Sequence, residues 1–148
     1  NDFDSWNNTG TYSYWNIWNN TIDGNGVSDS DGITVSGAGN ATNFSIKNNI
    51  IKGFGRSPIF SWLVQPGSKI DTISIENNDF YNNGNNNAPL WRDITPTHVT
   101  LVKNITSNPQ FVGGGDYHLL SYSLAIDAGT DVGLPYKGSA PDMGYVEY

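Results

Sequence analysis

The sequence predicts an all-β fold, a parallel β-helix of about four to five stacked coils, and three observations predict it. First, Trp15-Asn16-Ile17-Trp18-Asn19-Asn20 recurs as Phe44-Ser45-Ile46-Lys47-Asn48-Asn49, Ile73-Ser74-Ile75-Glu76-Asn77-Asn78 and Val99-Thr100-Leu101-Val102-Lys103-Asn104. The closing Asn residues are 29, 29 and 26 residues apart, a coil length with slack for loops. Second, each segment alternates apolar and polar residues, the signature of a strand with one buried face. Third, only 14% of residues are charged, and the abundance of Asn, Gly, Ser and Thr suits turns and strands better than helices.

In chain order, all 148 residues form one domain. Residues 1–11 form a partial first coil or a cap, since Asn1-Asp2-Phe3 echoes Asn78-Asp79-Phe80. Residues 12–107 carry the repeated coils. Trp15 and Ile17, Phe44 and Ile46, Ile73 and Ile75, and Val99 and Leu101 point inward, whereas alternation turns Trp18 outward beside Lys47. Asn20, Asn49, Asn78 and Asn104 end these strands. Asn tolerates left-handed backbone angles at a tight turn, and its amide can bond the same amide one coil away, so these four form an inward ladder. A loop and a second strand follow in each coil: Gly24 to Asp31 then Gly32 to Val35, Gly53 to Pro58 then Ile59 to Val64, and Asn82 to Pro89 then Leu90 to Ile94. Residues 108–148 form a closing coil and an irregular tail.

Charge and motifs exclude several functions. A net charge of -7 and a pI near 4.4 exclude nucleic acid and anionic membranes as partners, because both need a basic footprint. Without cysteine there are no disulfides, thiolate metal sites or thiol nucleophiles. No apolar run approaches membrane-spanning length, and the first residue, Asn1, reads as the start of a mature or excised module. A nucleophile elbow, a phosphate loop followed by Lys and a His-Glu-x-x-His pair are all missing from the sequence.

The ladder and strand pattern over roughly residues 12 to 148 resembles the right-handed parallel β-helix proteins of polysaccharide-degrading bacteria, a group that includes pectate-lyase-like enzymes. The tail segments Asn108-Pro109-Gln110-Phe111-Val112, Asp116-Tyr117-His118-Leu119, Ser123 to Gly129 and Ala140 to Tyr148 are similar to the part that closes such helices. The adjacent Asp residues, Gly-His-Gly and Arg-x-Lys of the polygalacturonase-like members do not occur here. A lyase needs a base beside a uronate and a cation on its carboxylate; Arg56, Arg92 and His98 are the candidates. Lys47 and Glu76 fall at one position of adjacent coils and read as a solvated cross-strand ion pair.

Oxygen-bearing Asp23, Asn25, Asp29 and Asp31 on a Gly-bearing loop make calcium the one metal candidate, although their spacing matches no full EF-hand. Otherwise no cofactor is required. Aromatic residues reach 13%, with 5 Trp and 8 Tyr, more than slim coils need for filling. Trp62 and Trp91 are one repeat apart, so in register they would stand about 4.8 Å from each other as a platform for consecutive sugar rings. Arg92 and Asp93 would supply hydrogen bonds beside it, and Trp18 is a second outward aromatic. Aligning Pro58 with Pro89 would instead put Phe60 against Trp91. Inward-facing tryptophans are the competing reading; Trp15 is core and Trp6 has no assigned place.

With catalytic motifs missing, the chain resembles the non-catalytic β-helix carbohydrate-binding modules attached to xylanase-type enzymes. That resemblance implies a secreted or cell-surface bacterial protein that holds a β-1,4-linked plant cell-wall polysaccharide such as xylan or an oligosaccharide, linked to a catalytic domain. The alternative is a fragment of a β-helix polysaccharide lyase acting on an acidic glycan.

Overall fold

The computed structural model describes residues 2–3, 10–37, 39–63, 68–92 and 96–148, with 2, 3, 36, 37 and 63 by backbone alone. The strands in chain order are β1 (Asp2–Phe3), β2 (Thr11–Trp18), β3 (Thr21–Val27), β4 (Asp31–Gly37), β5 (Asn40–Lys47), β6 (Ile50–Phe54), β7 (Ser57–Leu63), β8 (Ile70–Glu76), β9 (Asp79–Tyr81), β10 (Leu90–Trp91), β11 (Thr97–Val102), β12 (Phe111–Gly113) and β13 (Asp116–Leu119). The described residues contain no α-helix, only one short 3-10 turn at Asn85–Asn87.

Three sheets are parallel, and each is built from strands of successive repeats. The first runs β2, β5, β8, β11, the second β3, β6, β9, and the third β1, β4, β7, β10. The chain is therefore all-β with parallel sheets, an arrangement compatible with a β-solenoid. The three inner faces meet in one core. Ile17, Phe44, Ile46, Ile73 and Ile75 come from the first sheet, Ile51, Phe54 and Phe80 from the second, Ile33, Val35 and Ile59 from the third. β-branched side chains dominate because they pack well on a pleated surface with stiff rotamers.

The Asn ladder is present and saturated. Asn20, Asn49 and Asn78 each donate both backbone N–H and Nδ2 to the Oδ1 of the next Asn, at 2.9 to 3.0 Å. The Nδ2 groups of Asn49, Asn78 and Asn104 also reach the carbonyls of Ile17, Ile46 and Ile75 in the repeat before, at 2.8 to 2.9 Å. The left-handed backbone, however, belongs to the preceding residue of each pair, with φ near +53° at Asn19, Asn48, Asn77 and Lys103. One residue turns the corner and its neighbour bonds along the stack.

Two expectations need correction here. The Gly24–Asp31 loop is largely strand: β3 runs to Val27, and only residues 28–30 form a turn. Asp2 and Phe3 pair with Thr34 and Val35 in the third sheet, whereas Asp79 and Phe80 lie in the second, so the echo between them is not a repeat relation.

The tail runs along the flank of the stack. β12 and β13 pair antiparallel, and Leu119, Ala125 and Met143 pack on Ile50, the outward residue of β6. Asn48 Oδ1 accepts Thr130 N–H at 2.8 Å, Asn77 Nδ2 donates to Ala128 O at 2.8 Å, and Gly144 N–H donates to Asn48 O at 2.7 Å. At the last rung, Leu101 sits in an inward column yet is 55% exposed.

Candidate functional site

Aromatic and polar side chains gather on the outer faces of the third and first sheets. In the third sheet, Phe60 pairs with Leu90 and Ser61 with Trp91, an offset of thirty residues, while the second sheet keeps Ile51 opposite Phe80, an offset of 29. The connection before β10 is one residue longer than the one before β7. Because side chains alternate with period two, that residue moves Trp91 to the opposite face from Trp62. The expected Trp62 and Trp91 platform is thus corrected: Trp91 follows the buried Val35 and Ser61 column and packs against the core. The alternative pairing of Phe60 with Trp91 does not occur either.

Trp62 faces outward and is 36% exposed. Arg92 follows Trp91 as Trp62 follows Ser61, its N–H donates to Ser61 O at 3.0 Å, and it is exposed. The longer connection therefore puts Arg92, and not a second tryptophan, at the register position next to Trp62. Asp93 and Trp6 lie outside the described residues. Toward the start of β7, Phe60 is covered by Arg56, whose guanidinium lies 4.4 Å from the ring centroid.

The first sheet presents Trp18 beside Lys47, as alternation requires. Trp18 Nε1 donates to Ser45 Oγ at 2.8 Å, which ties the indole to the neighbouring strand. Lys47 Nζ and Glu76 Oε2 are 3.1 Å apart, and Ser74 also bonds Glu76. The Ser74 bond is the strongest influence on Glu76; with Lys47 it outweighs desolvation and holds the carboxyl below its ordinary value.

Sequence reasoning missed a further column. Tyr14, Asn43, Thr72 and His98 all adopt positive φ, at 64°, 57°, 56° and 52°, so each strand of this sheet is bent at one place. Tyr14 is 78% exposed there, a costly backbone for a bulky side chain. Next to the bend, Asp71 Oδ1 lies 2.6 Å from His98 Nδ1 and accepts Thr97 Oγ1 at 2.8 Å. The His98 and then the Thr97 hydrogen bond hold the Asp71 carboxyl below its ordinary value. Asn43 in the second repeat was the one sequence signal for this bend.

Of the four residues considered for calcium, the three carboxylates each bond a basic side chain, and Asn25 contributes its backbone N–H. Asp23 Oδ2 accepts Lys52 Nζ at 2.7 Å and Tyr117 Oη at 3.1 Å, and its Oδ1 accepts Asn25 N–H at 2.8 Å. Burial raises the Asp23 pKa, but these bonds, led by Lys52, outweigh it and leave the carboxyl lowered. Asp31 bonds Arg56 and Ser57, and Asp29 lies 3.2 Å from Arg56. Each carboxylate thus faces a basic residue of the next repeat. Among the described residues no group of three or more His, Cys, Asp or Glu is arranged to hold a metal ion. No helix among them is long and apolar enough to cross a membrane.

No protein family, curated protein or solved structure matches this chain.

Proposed function

We propose that the chain is a right-handed parallel β-helix that binds a neutral plant cell-wall polysaccharide, a β-1,4-linked glycan such as xylan, without chemically changing it. The right hand follows from the general preference of parallel crossover connections. The observation that carries the binding reading is the outward, exposed Trp62, with the exposed Arg92 directly after β10, one residue past the Trp91–Ser61 pair as Trp62 is. An indole face covers the C–H face of a pyranose, and a planar guanidinium bonds its hydroxyls. Trp18 and Tyr14 on the first sheet give a second aromatic surface whose neighbours Ser45, Lys47 and Glu76 are hydrogen-bond donors and acceptors. On this reading the protein is secreted or cell-surface, of bacterial origin, and linked to a catalytic domain, and binding needs no cofactor.

Titration calorimetry with xylan and xylo-oligosaccharides tests this. Binding should be measurable, should survive chelator, and should drop at least tenfold in Trp62→Ala. Unchanged affinity in Trp62→Ala and Trp18→Ala alike would remove the reading; loss with chelator would assign calcium a role.

A second reading, a β-helix lyase fragment, is favoured by one observation, the imidazole of His98 held by Asp71. It predicts ultraviolet-absorbing unsaturated products from pectin or alginate, lost in His98→Ala. No such products from any acidic glycan would dismiss it.

A further inference from the structure

Asp79 is buried where its surroundings offer little to a charge. It stands in the outward column of the second sheet, between Ile50 of β6 and Ile105. Both neighbours belong to the apolar cluster that the tail completes with Leu119, Ala125 and Met143. Asp79 has no exposed surface. Its Oδ1 accepts Ser107 N–H at 3.1 Å, and its Oδ2 is buried without a hydrogen-bond partner. An ionised carboxylate is costly in such a place, whereas a neutral one is tolerated.

We propose that the C-terminal tail is latched to the second sheet while Asp79 is protonated, and that ionisation of this carboxyl loosens the latch. Among the described residues, no charged side chain of the surrounding elements bonds Asp79, whose Oδ2 has no partner and whose Oδ1 takes only Ser107 N–H. On the sheet face, Asp23 and Lys52 bond each other and Tyr117 bonds Asp23. In the tail, Asp116 bonds His118, Asp127 accepts the N–H groups of Ser139 and Ala140, Asp142 accepts those of Asp127 and Tyr148, and Glu147 accepts that of Lys137. None of these bonds involves Asp79.

Burial raises the Asp79 pKa from 3.8 to about 7, against the smaller opposing effect of the Ser107 bond. The sign follows from linkage. A released Asp79 in water ionises near its ordinary value, while the docked one keeps its proton up to about 7. Docking is strongest below the ordinary value, weakens about tenfold per pH unit above it, and levels off beyond the raised value. Between pH 5 and 7 the tail's opening constant should rise about fiftyfold, since the docked group is itself half ionised at the upper limit.

Hydrogen exchange on the intact chain at pH 5, 6, 7 and 8, corrected for intrinsic exchange rates, tests the latch. The expected result is about a fiftyfold loss of protection between pH 5 and 7 at the tail amides of Gly129, Met143 and Gly144, with Ile46 and Ile75 in the first sheet unaffected. Asp79→Asn, a near-isosteric neutral group, should abolish that pH dependence. Equal tail protection at pH 5 and 7, simultaneous loss in the first sheet, or an Asp79→Asn profile like the parent's would overturn the proposal. Should Asp79→Asn not fold, the comparison of tail and sheet amides in the parent decides alone.

Discussion

Asn78 uses its whole side chain. Its Oδ1 accepts two bonds from Asn49, and its Nδ2 donates to Asn104 Oδ1 and to the carbonyls of Ile46 and Glu76. Removing it takes a partner from four residues, Asn49, Asn104, Ile46 and Glu76, and each buried donor or acceptor so orphaned costs about 1–3 kcal/mol. Asn78→Ala should therefore lower the unfolding free energy by at least about 3 kcal/mol in urea titration, and a loss below about 1 kcal/mol would contradict the ladder's role. The ladder was readable from the sequence because an amide both donates and accepts, so like residues at one period bond each other. The partition between Asn48 and Asn49 was not readable: both members of the pair are Asn, and only backbone angles separate them. Lys103 in place of Asn at the fourth corner was the one clue.

Among the elements, the strands of the first sheet were legible and those of the second were not. Alternation such as Phe44, Ile46 against Ser45, Lys47 marks a sheet with one buried face. β6 is covered on both sides, Ile51 by the core and Ile50 by the tail, so it lacks alternation. The candidate platform failed for a related reason: a one-residue change in a polar loop leaves no mark on hydrophobic pattern but inverts every side chain after it. The inversion gives contrasting variants. Trp91→Ala should cost about 2 kcal/mol of stability, less than a fully buried tryptophan, and leave glycan affinity within twofold. Trp62→Ala should change stability by less than about 1 kcal/mol while weakening binding. Calorimetry and denaturation on the same two proteins separate these outcomes. Close packing between elements predicts a third effect. A Cβ at Gly32 would meet Ile51 Cγ2 at 2.4 Å and Pro58 O at 2.6 Å, so Gly32→Ala should destabilise by about 1–3 kcal/mol, read as a lowered urea midpoint.

For the whole molecule, two kinds of carboxyl oppose one another. Asp23 and Glu76 are held below their ordinary values, so they add stability above the unfolded value that is lost as pH falls through the folded one. Asp79 is raised, so its contribution is complete below 3.8 and is lost as pH rises to about 7. Stability should peak at about pH 4–5 and decline toward pH 8, and Asp79→Asn should flatten the alkaline side. Urea midpoints across that range check this; equal midpoints at pH 4.5 and pH 8 would count against it. The overall plan of parallel sheets was legible from four repeats. The course of the tail was not, since its contacts join residues far apart in sequence, such as Asn48 with Thr130 and Asp23 with Tyr117.

The tail's handholds also tie three successive levels of the stack to fixed points along one strap. Tyr145 N–H bonds Thr21, Gly144 N–H and Thr130 grip Asn48, and Ala128 receives Asn77, one grip on each of three successive levels. A duplicated level spliced in after Asn49 would suit the ladder, which offers every newcomer the same amides. It would push Asn77 one storey away from Ala128, so between these grips the strap tolerates no added storey, whereas a bare repeat array would.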